Sequence, residues 1–209
     1  GRSVNIDWID SETFNGNLNQ LDNFDGVLVP GGFGTRGSEG IIDTATYTLE
    51  KNIPYLGICF GFQLAAIAFG RKMCNLENAN STEIIADTKN PIIDLLPEQK
   101  DETDMGGSLR LGANEIKINQ DSLAHKIYNS DKISKRHRHR YEFNTNYRDE
   151  FLKKGMIFSG ESDNGKRMEI LEIPTHKFFL GVQFHPEFNS RPGFPEDVFK
   201  TFVTAASQN

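Results

Sequence analysis

The sequence has little cysteine and no long apolar run, and each scarcity excludes a class of protein. Its 209 residues include two cysteines, Cys59 and Cys74. Two are too few for a disulfide framework, so we expect a reducing, cytoplasmic compartment. The apolar run at residues 64–69 is far shorter than the roughly 18 residues that a membrane-spanning helix needs. A disulfide-rich secreted domain and a membrane partner are therefore not expected.

The sequence also lacks an excess of positive charge and the motifs of nucleotide and metal sites. It has 23 lysines and arginines against 29 aspartates and glutamates, a formal net charge of −6, which argues against a nucleic-acid partner. Neither a Gly-Lys-Ser/Thr phosphate loop nor a metal-ligand cluster is present, so we expect no bound cofactor or metal. What is present, 37% hydrophobic residues and 16 Phe, is the composition of a globular domain with a substantial core.

In the first half of the chain, apolar runs alternate with segments of helical spacing. Residues 4–8, 26–29 and 53–58 are predicted strands, residues 37–52 are a predicted helix, and residues 63–69 begin a second helix. Strands that alternate with helices at this spacing predict a parallel sheet with helices on both faces.

The second half predicts further strands with antiparallel connections. The predicted strands are residues 108–111, 115–118, 136–143, 156–161, 168–173 and 178–184, and the predicted helices are residues 122–128, 147–154 and 195–207. The turn sequence at 163–165 joins two of these strands into a hairpin. We therefore expect one α/β domain, with a doubly wound, mostly parallel sheet and a small antiparallel addition.

The segment most informative about chemistry is the Gly-x-Cys-x-Gly pattern at residues 57–61, which follows a predicted strand and precedes a helix. This arrangement is typical of a nucleophile elbow, here with cysteine as the nucleophile. The glycines remove side chains that would clash in a strained turn, and the helix N-terminus favours the thiolate of Cys59. The alternative is a buried structural cysteine between packing glycines, which is how we interpret Cys74.

A thiolate needs a proton-transfer partner, and His185 is the best candidate among the five histidines. It follows the last predicted strand, and open α/β sheets place their sites at the carboxyl ends of strands. Glu187, two residues further on, would accept a hydrogen bond from the imidazole and fix its tautomer. The alternative for this His-Pro-Glu sequence is a solvated loop.

Two other segments have candidate roles in anion recognition. The glycine-rich residues 30–37 follow a strand without a phosphate-loop signature, and a backbone N–H there would pair with that of Phe60 to hold an oxyanion. In the Arg-His alternation at 136–140, a strand would place the arginines on one face and the histidines on the other. We interpret it either as a solvated edge strand or as a strand that recognises a carboxylate or phosphate.

Several segments together resemble a known family. They are GICFGFQ at 57–63, PGGFGTRGSEG at 30–40, NSTE at 80–83, MGGSLRLG at 105–112, RHRHRYEFN at 136–144 and FHPEFNSRP at 184–192. The first and last resemble class I (triad) glutamine amidotransferases. The set as a whole is similar to the amidotransferase domain of the CTP synthase family, from about Val4 to the C-terminus.

This resemblance implies a flavodoxin-like amidotransferase domain over residues 1–209. By comparison with the family, the domain lacks its N-terminal strand and helix, and it lacks the upstream synthetase domain that holds ATP and Mg and converts UTP to CTP. The implied partners are L-glutamine and a synthetase domain of the same polypeptide, in a homotetramer. The implied task is to supply ammonia for pyrimidine nucleotide biosynthesis.

The resemblance also implies roles for individual residues. Cys59 attacks the side-chain amide of glutamine and forms a γ-glutamyl thioester, His185 transfers the proton, and Glu187 orients His185. The backbone N–H groups of Gly32 and Phe60 form the oxyanion hole.

Further implied roles concern substrate binding and activation. The implied glutamine-binding residues are Gln63, Glu83, Arg140 and Tyr141. GTP is the implied allosteric activator, with Phe33, Arg36 and Arg140 as candidate contacts; simple lid packing is the alternative for Phe33.

Two alternatives to glutamine hydrolysis stay open. One is a free-standing hydrolase with the same Cys-His-Glu fold, such as a γ-glutamyl peptidase, which the segments at 105–112 and 136–144 argue against. The other is a regulatory or assembly module with a vestigial nucleophile, which the presence of Cys59, His185 and Glu187 argues against.

Overall fold

The structure is a computed structural model that describes residues 3–13, 17–95 and 109–208. Residues 105–108, which belong to one predicted motif and include the start of a predicted strand, lie outside the described residues. The strands are β1 (Val27–Val29), β2 (Tyr55–Ile58), β3 (Asn80–Ser81), β4 (Pro91–Asp94), β5 (Arg110–Ile118), β6 (Lys132–His139), β7 (Glu142–Phe143), β8 (Ile157–Ser162), β9 (Arg167–Glu172) and β10 (Phe179–Val182).

Five α-helices of more than one turn accompany these strands in the described ranges. They are α1 (Ser38–Lys51), α2 (Phe60–Met73), α3 (Leu123–Tyr128), α4 (Arg148–Lys153) and α5 (Asp197–Ala206). None of the helices in this part of the chain combines the length and the apolar character that crossing a membrane requires.

The main sheet has seven strands in the order β1-β2-β10-β9-β8-β5-β6. Strands β1 and β10 both run parallel to β2, and Leu28 and Leu180 each lie opposite Leu56. The carboxyl ends of these three strands therefore meet at one edge of the sheet. The loop after β1, the turn before α2 and the segment after β10 all start from this edge.

The other half of the sheet is antiparallel. Strands β10, β9, β8, β5 and β6 pair with one another in sequence, each antiparallel to its neighbour. The β8–β9 pair is the hairpin that the turn at 163–165 predicts. Because four strands join in this antiparallel manner, the antiparallel part is larger than the small addition that we expected. A separate sheet of order β3-β4-β7 completes the strands of the described residues.

Two apolar clusters cover the two faces of the main sheet. One cluster packs α1, α2 and α4 against the sheet through residues such as Tyr55 and Phe179. The other packs α3 and α5 through residues such as Leu56 and Leu180. Consecutive residues of β2 and of β10 thus face opposite clusters, which is why these two strands are apolar throughout. The predicted α/β class, with helices on both faces, is confirmed.

Several predicted element boundaries are wrong. Residues 4–8 form no strand, and Val4, Ile6 and Trp8 are 54%, 68% and 89% exposed. An apolar alternation makes a strand only where a neighbouring strand supplies hydrogen bonds, and no described strand pairs with this segment. The two strands predicted at 108–111 and 115–118 are the single strand β5. The strand predicted at 136–143 divides into β6 and β7.

Candidate active site

Cys59 lies at the turn between β2 and α2, in a backbone conformation that side chains rarely adopt. Its φ is 52° and its ψ is −97°, a strain on the order of 1–3 kcal/mol. A Cβ at Gly57 would lie 2.6 Å from the carbonyl of Gly61, and a Cβ at Gly61 would lie 2.5 Å from the carbonyl oxygen of Val29. Both glycines are therefore needed because α2 approaches the sheet backbone closely.

The parallel register brings the segment after β10 next to Cys59. Val182 lies opposite Ile58, and the Cys59 amide donates to the Val182 carbonyl at 2.7 Å. Side chains alternate along an extended segment, so Gln183 and His185 both face the cysteine. The His185 amide donates to the Arg136 carbonyl at 2.9 Å, which fixes this segment against β6.

His185 and Glu187 form a close pair. The His185 Nδ1 and the Glu187 Oε1 are 2.6 Å apart, and because a carboxylate only accepts, Nδ1 is the donor. The opposite ring nitrogen, Nε2, is buried and forms no hydrogen bond with the described residues. This nitrogen is the one available to the Cys59 thiol.

The pKa shifts of His185 and Glu187 favour an ion pair between these two side chains at neutral pH. The Cys59 sulfur and then Glu187 raise the pKa of His185 to about 10. Burial alone would raise the pKa of Glu187. The hydrogen bond from His185 lowers this pKa, and the net result is a lowered pKa. Burial raises the pKa of Cys74 to about 11, so that cysteine stays a thiol.

The glycine-rich loop after β1 packs directly against these residues. A Cβ at Gly31 would lie 2.9 Å from the Cε1 of His185, and a Cβ at Gly32 would lie 3.2 Å from the Phe60 ring. Phe60 is the first residue of α2, so its N–H has no partner within the helix. The structure thus places Gly32 and Phe60, the two predicted oxyanion donors, side by side next to Cys59.

Three of the predicted glutamine-binding residues lie around the same loop. The Gly34 amide donates to Glu83 Oε1 at 2.9 Å. Burial raises the pKa of Glu83, and the Gly34 amide and Arg140 act in the opposite direction. Burial is the first cause of the raised pKa of Tyr141. The charge of Glu83 raises this pKa further, and the charge of Arg140 acts in the opposite direction. A carboxylate and a guanidinium are therefore together at this side of the site.

The fourth predicted glutamine-binding residue, Gln63, is buried and contacts Tyr141 and Gln183. Its Nε2 donates to the Tyr141 carbonyl at 2.7 Å and to Gln183 Oε1 at 3.3 Å. The Nε2 of Gln183 in turn lies 3.8 Å from the Cys59 sulfur. Sequence reasoning missed Gln183, although an amide within an apolar strand signals a buried polar group that needs partners.

The predicted GTP contacts are less closely grouped. Phe33 is 86% exposed, and the Arg36 Nε pairs with Glu12 at 3.3 Å.

In the described ranges, no group of three or more His, Cys, Asp or Glu side chains is arranged to hold a metal ion.

The arginine and histidine alternation has the predicted geometry. Strand β6 is the last strand of the sheet, with Arg136 and Arg138 exposed and His137 and His139 buried. Arg140 follows the strand and is half-buried, and its charge acts to lower the pKa of Glu83. The first two arginines thus fit a solvated edge strand, and Arg140 fits the recognition of an anion.

Comparison with known families and relatives gives a consistent result. The family model described as glutamine amidotransferase class-I matches residues 1–205. The chain is 52% identical to the CTP synthase of Archaeoglobus fulgidus over 99% of this chain and 39% of that protein. It is 53% identical to the CTP synthase of Halalkalibacterium halodurans over 97% of this chain and 38% of that protein. The chain therefore spans about two fifths of the length of these curated relatives.

Solved structures show the same similarity in three dimensions. The glutaminase domain of Trypanosoma brucei CTPS with bound acivicin matches with a TM-score of 0.93 and 36% identity, over 100% of this chain and 82% of that one. A protein from Thermoplasma acidophilum that is described as a putative GMP synthase subunit matches with a TM-score of 0.62 at 17% identity, over 94% of this chain and 78% of that one. The second likeness concerns the fold alone.

Proposed function

The chain belongs to the class-I glutamine amidotransferase family, and on that premise we propose that it hydrolyses the side-chain amide of glutamine with Cys59, His185 and Glu187. The observation that carries the proposal is the position of Cys59. It occupies a strained turn beside His185, whose Nδ1 is held by Glu187 at 2.6 Å. A cysteine, a base and a group that orients the base are the parts of nucleophilic acyl transfer.

In the first half of the reaction, the Cys59 sulfur attacks the amide carbon of glutamine. The thiol proton passes to His185 Nε2 and then to the leaving nitrogen, which departs as ammonia. The carbonyl oxygen becomes an oxyanion, which the backbone N–H groups of Gly32 and Phe60 hold. Removing one such donor costs roughly 2.7–4 kcal/mol in enzymes of this kind.

In the second half, water attacks the γ-glutamyl thioester. His185 accepts a proton from the water and returns it to the departing sulfur, so glutamate and the resting Cys59 are formed. The imidazolium that forms in each half-reaction is stabilised by Glu187, consistent with the raised pKa of His185.

We propose that glutamine binds through opposite charges on the two sides of the loop after β1. Glu83 suits the α-ammonium of glutamine, and Arg140 suits its α-carboxylate. Gln63 and Tyr141 support this side of the site through the hydrogen bond between them.

The larger context is also a proposal. The two curated relatives described above are named CTP synthase, and the chain covers about two fifths of each. We propose that residues 1–209 form the amidotransferase domain of a longer cytoplasmic polypeptide. In this scheme, a synthetase domain holds ATP and Mg and uses the ammonia to convert UTP to CTP, in a homotetramer. GTP would activate hydrolysis through Phe33, Arg36 and Arg140.

The test is to replace Cys59 and Cys74 separately with alanine and to measure glutamate released from glutamine. Cys59→Ala is expected to lower hydrolysis by at least about a thousandfold, because the nucleophile is lost. Cys74→Ala is the matched control, since Cys74 is also buried, and it should keep most of the activity.

A glutamine-analogue electrophile gives an independent readout. It should label the peptide that contains Cys59, detected by mass. Labelling of Cys74 instead, or equal glutamine hydrolysis by Cys59→Ala and the unmodified protein, would reject the proposed function. Faster cleavage of γ-glutamyl peptides than of glutamine would favour a γ-glutamyl peptidase.

A further inference from the structure

We propose that Gln183 is a catalytic residue, whose side-chain amide donates a hydrogen bond to the Cys59 sulfur and stabilises its anionic form. The inference rests on the proposed function, because it assigns a role in the same reaction. Gln183 lies immediately after β10, as Cys59 lies immediately after β2, and these strands are paired in parallel. The fold therefore makes the two residues neighbours.

Gln183 is a polar residue in fully buried surroundings. Its exposure is 0%, and its backbone amide donates to the Glu169 carbonyl at 2.9 Å. A buried amide side chain without partners is costly. Its two polar atoms have partners here: Oε1 accepts from Gln63, and Nε2 lies 3.8 Å from the Cys59 sulfur.

The orientation of the Gln183 amide follows from its neighbours. The Tyr141 carbonyl only accepts, so the group of Gln63 that lies 2.7 Å from it is the nitrogen. The second hydrogen of the same Gln63 nitrogen is directed to Gln183, which must present its oxygen there. The nitrogen of Gln183 consequently faces the sulfur.

Among the described residues, the Arg138 carbonyl and the Gln183 amide lie within hydrogen-bonding distance of the sulfur, and they favour opposite protonation states. The Arg138 carbonyl, 3.9 Å from the sulfur, can only accept and therefore favours the thiol. The Gln183 Nε2 can only donate and therefore favours the thiolate. When the thiol proton moves to His185 Nε2, the electron pair stays on sulfur and the Gln183 hydrogen bond strengthens. No further reactant is needed for this step.

This role predicts an effect on turnover rather than on substrate binding. Hydrogen bonds to charged groups are worth more than neutral ones, so losing this one should lower kcat roughly 10- to 100-fold. Because Gln183 is fully buried beneath the nucleophile, KM should change by less than about twofold.

The experiment uses Gln183→Met, which keeps an unbranched side chain without an N–H donor, and Gln120→Met as a control on the exposed surface. Iodoacetamide is the probe, and alkylation of the Cys59 peptide is followed by mass from about pH 5 to about pH 9. Gln183→Met should move the midpoint of the alkylation profile upward by about one pH unit. Gln120→Met should leave the profile and kcat unchanged.

Gln183→Glu keeps the size of the side chain and tests the role of Gln183 if Gln183→Met fails to fold. The protonated carboxyl can donate to the sulfur, whereas the ionised carboxylate repels a thiolate, so alkylation relative to the unmodified protein should fall as pH rises. Unchanged alkylation profiles and kcat in both folded variants would overturn the role of Gln183. Loss of glutamine hydrolysis and Cys59 labelling in the unmodified protein would instead reject the proposed function.

Discussion

At the scale of the residue, the candidate site combines a cysteine in a strained backbone conformation with neighbours that are each held by an identifiable hydrogen bond. Cys59 has a φ of 52°, His185 is held by Glu187, and Gln183 is held by Gln63. Strain and fixed orientation at one place are typical of functional sites, because the rest of the fold must stabilise them. The local geometry therefore supports a chemical role for this group.

A second histidine behind the site predicts how stability depends on pH. Burial, and then the nearby Arg110, lower the pKa of His137 from 6.5 to about 2, although the Glu169 carboxylate lies 3.6 Å away. The unfolded chain therefore takes up this proton more readily than the folded one. The contribution of neutral His137 to the free energy of unfolding is fully present above about pH 6.5. It is lost as the pH falls towards the pKa of His137 in the folded protein.

His137→Gln should reduce the acid sensitivity of folding. Between about pH 6 and about pH 4, the free energy of unfolding should fall less steeply than in the unmodified protein, by up to about 1.4 kcal/mol per pH unit. Urea unfolding at several pH values measures this slope. His125→Gln, on a surface helix and paired with Asp131, is the control, and equal slopes for both variants would contradict the assignment.

At the scale of the element, the close packing of α2 against β1 predicts a sharp difference between two glycines of the same helix. A Cβ at Gly61 would meet the backbone oxygen of Val29 at 2.5 Å, whereas a Cβ at Gly70 would meet only side chains, at 3.3 Å or more. The backbone of Val29 cannot move away from an added Cβ as easily as the end of a flexible side chain can. Gly61→Ala should therefore cost about 3 kcal/mol or more.

Gly70→Ala should change the free energy of unfolding by less than about 1 kcal/mol, since alanine also favours the helix. Chemical denaturation of both variants is the measurement. Gly61→Ala should in addition lose alkylation at Cys59, because the turn that presents the sulfur is displaced. Similar stability of the two variants would show that α2 can shift away from β1.

The elements that sequence predicted well are those whose pattern is local. The Gly-x-Cys-x-Gly spacing and the apolar runs around it predicted β2, α2 and their connection, because each depends on residues close in sequence. Residues 4–8 were predicted wrongly because a strand depends on a partner elsewhere. Strand β3 has two residues, Asn80 and Ser81, too few to show any periodicity.

The same distinction applies to the candidate site. His185 is the predicted partner of Cys59 because it follows a predicted buried strand, and the structure brings it next to Cys59. Gln183 could not be assigned a role from the sequence, since its contacts with Gln63 and Cys59 span 120 and 124 residues. Only the parallel register of β2 and β10 brings them together.

At the scale of the whole molecule, the two faces of the sheet should unfold together. Each of β2 and β10 contributes alternate residues to both apolar clusters, so one face cannot be lost without exposing the other. Ile67 belongs to one cluster and Ile118 to the other, and both are buried. Variants at Ile67 and Ile118 test whether the two faces of the sheet unfold in a single transition.

Ile67→Val and Ile118→Val should each lower the free energy of unfolding by about 0.5–1.5 kcal/mol. The double variant should show their sum within about 0.5 kcal/mol, because the two residues share no cluster. Far- and near-UV circular dichroism should give one coincident transition for all variants. Two separate transitions would show that the faces unfold independently.

The burial of α2 also determines which parts of the candidate site can move. Residues 60–70 are all buried, so displacing Cys59 together with this helix would require an opening close to global unfolding. The loop after β1 is less enclosed at Phe33, which is 86% exposed, although Gly31 and Gly32 pack against His185 and Phe60. Cys59 is thus held in a fixed position, and any change in the geometry of the site has to come from the segments that surround it.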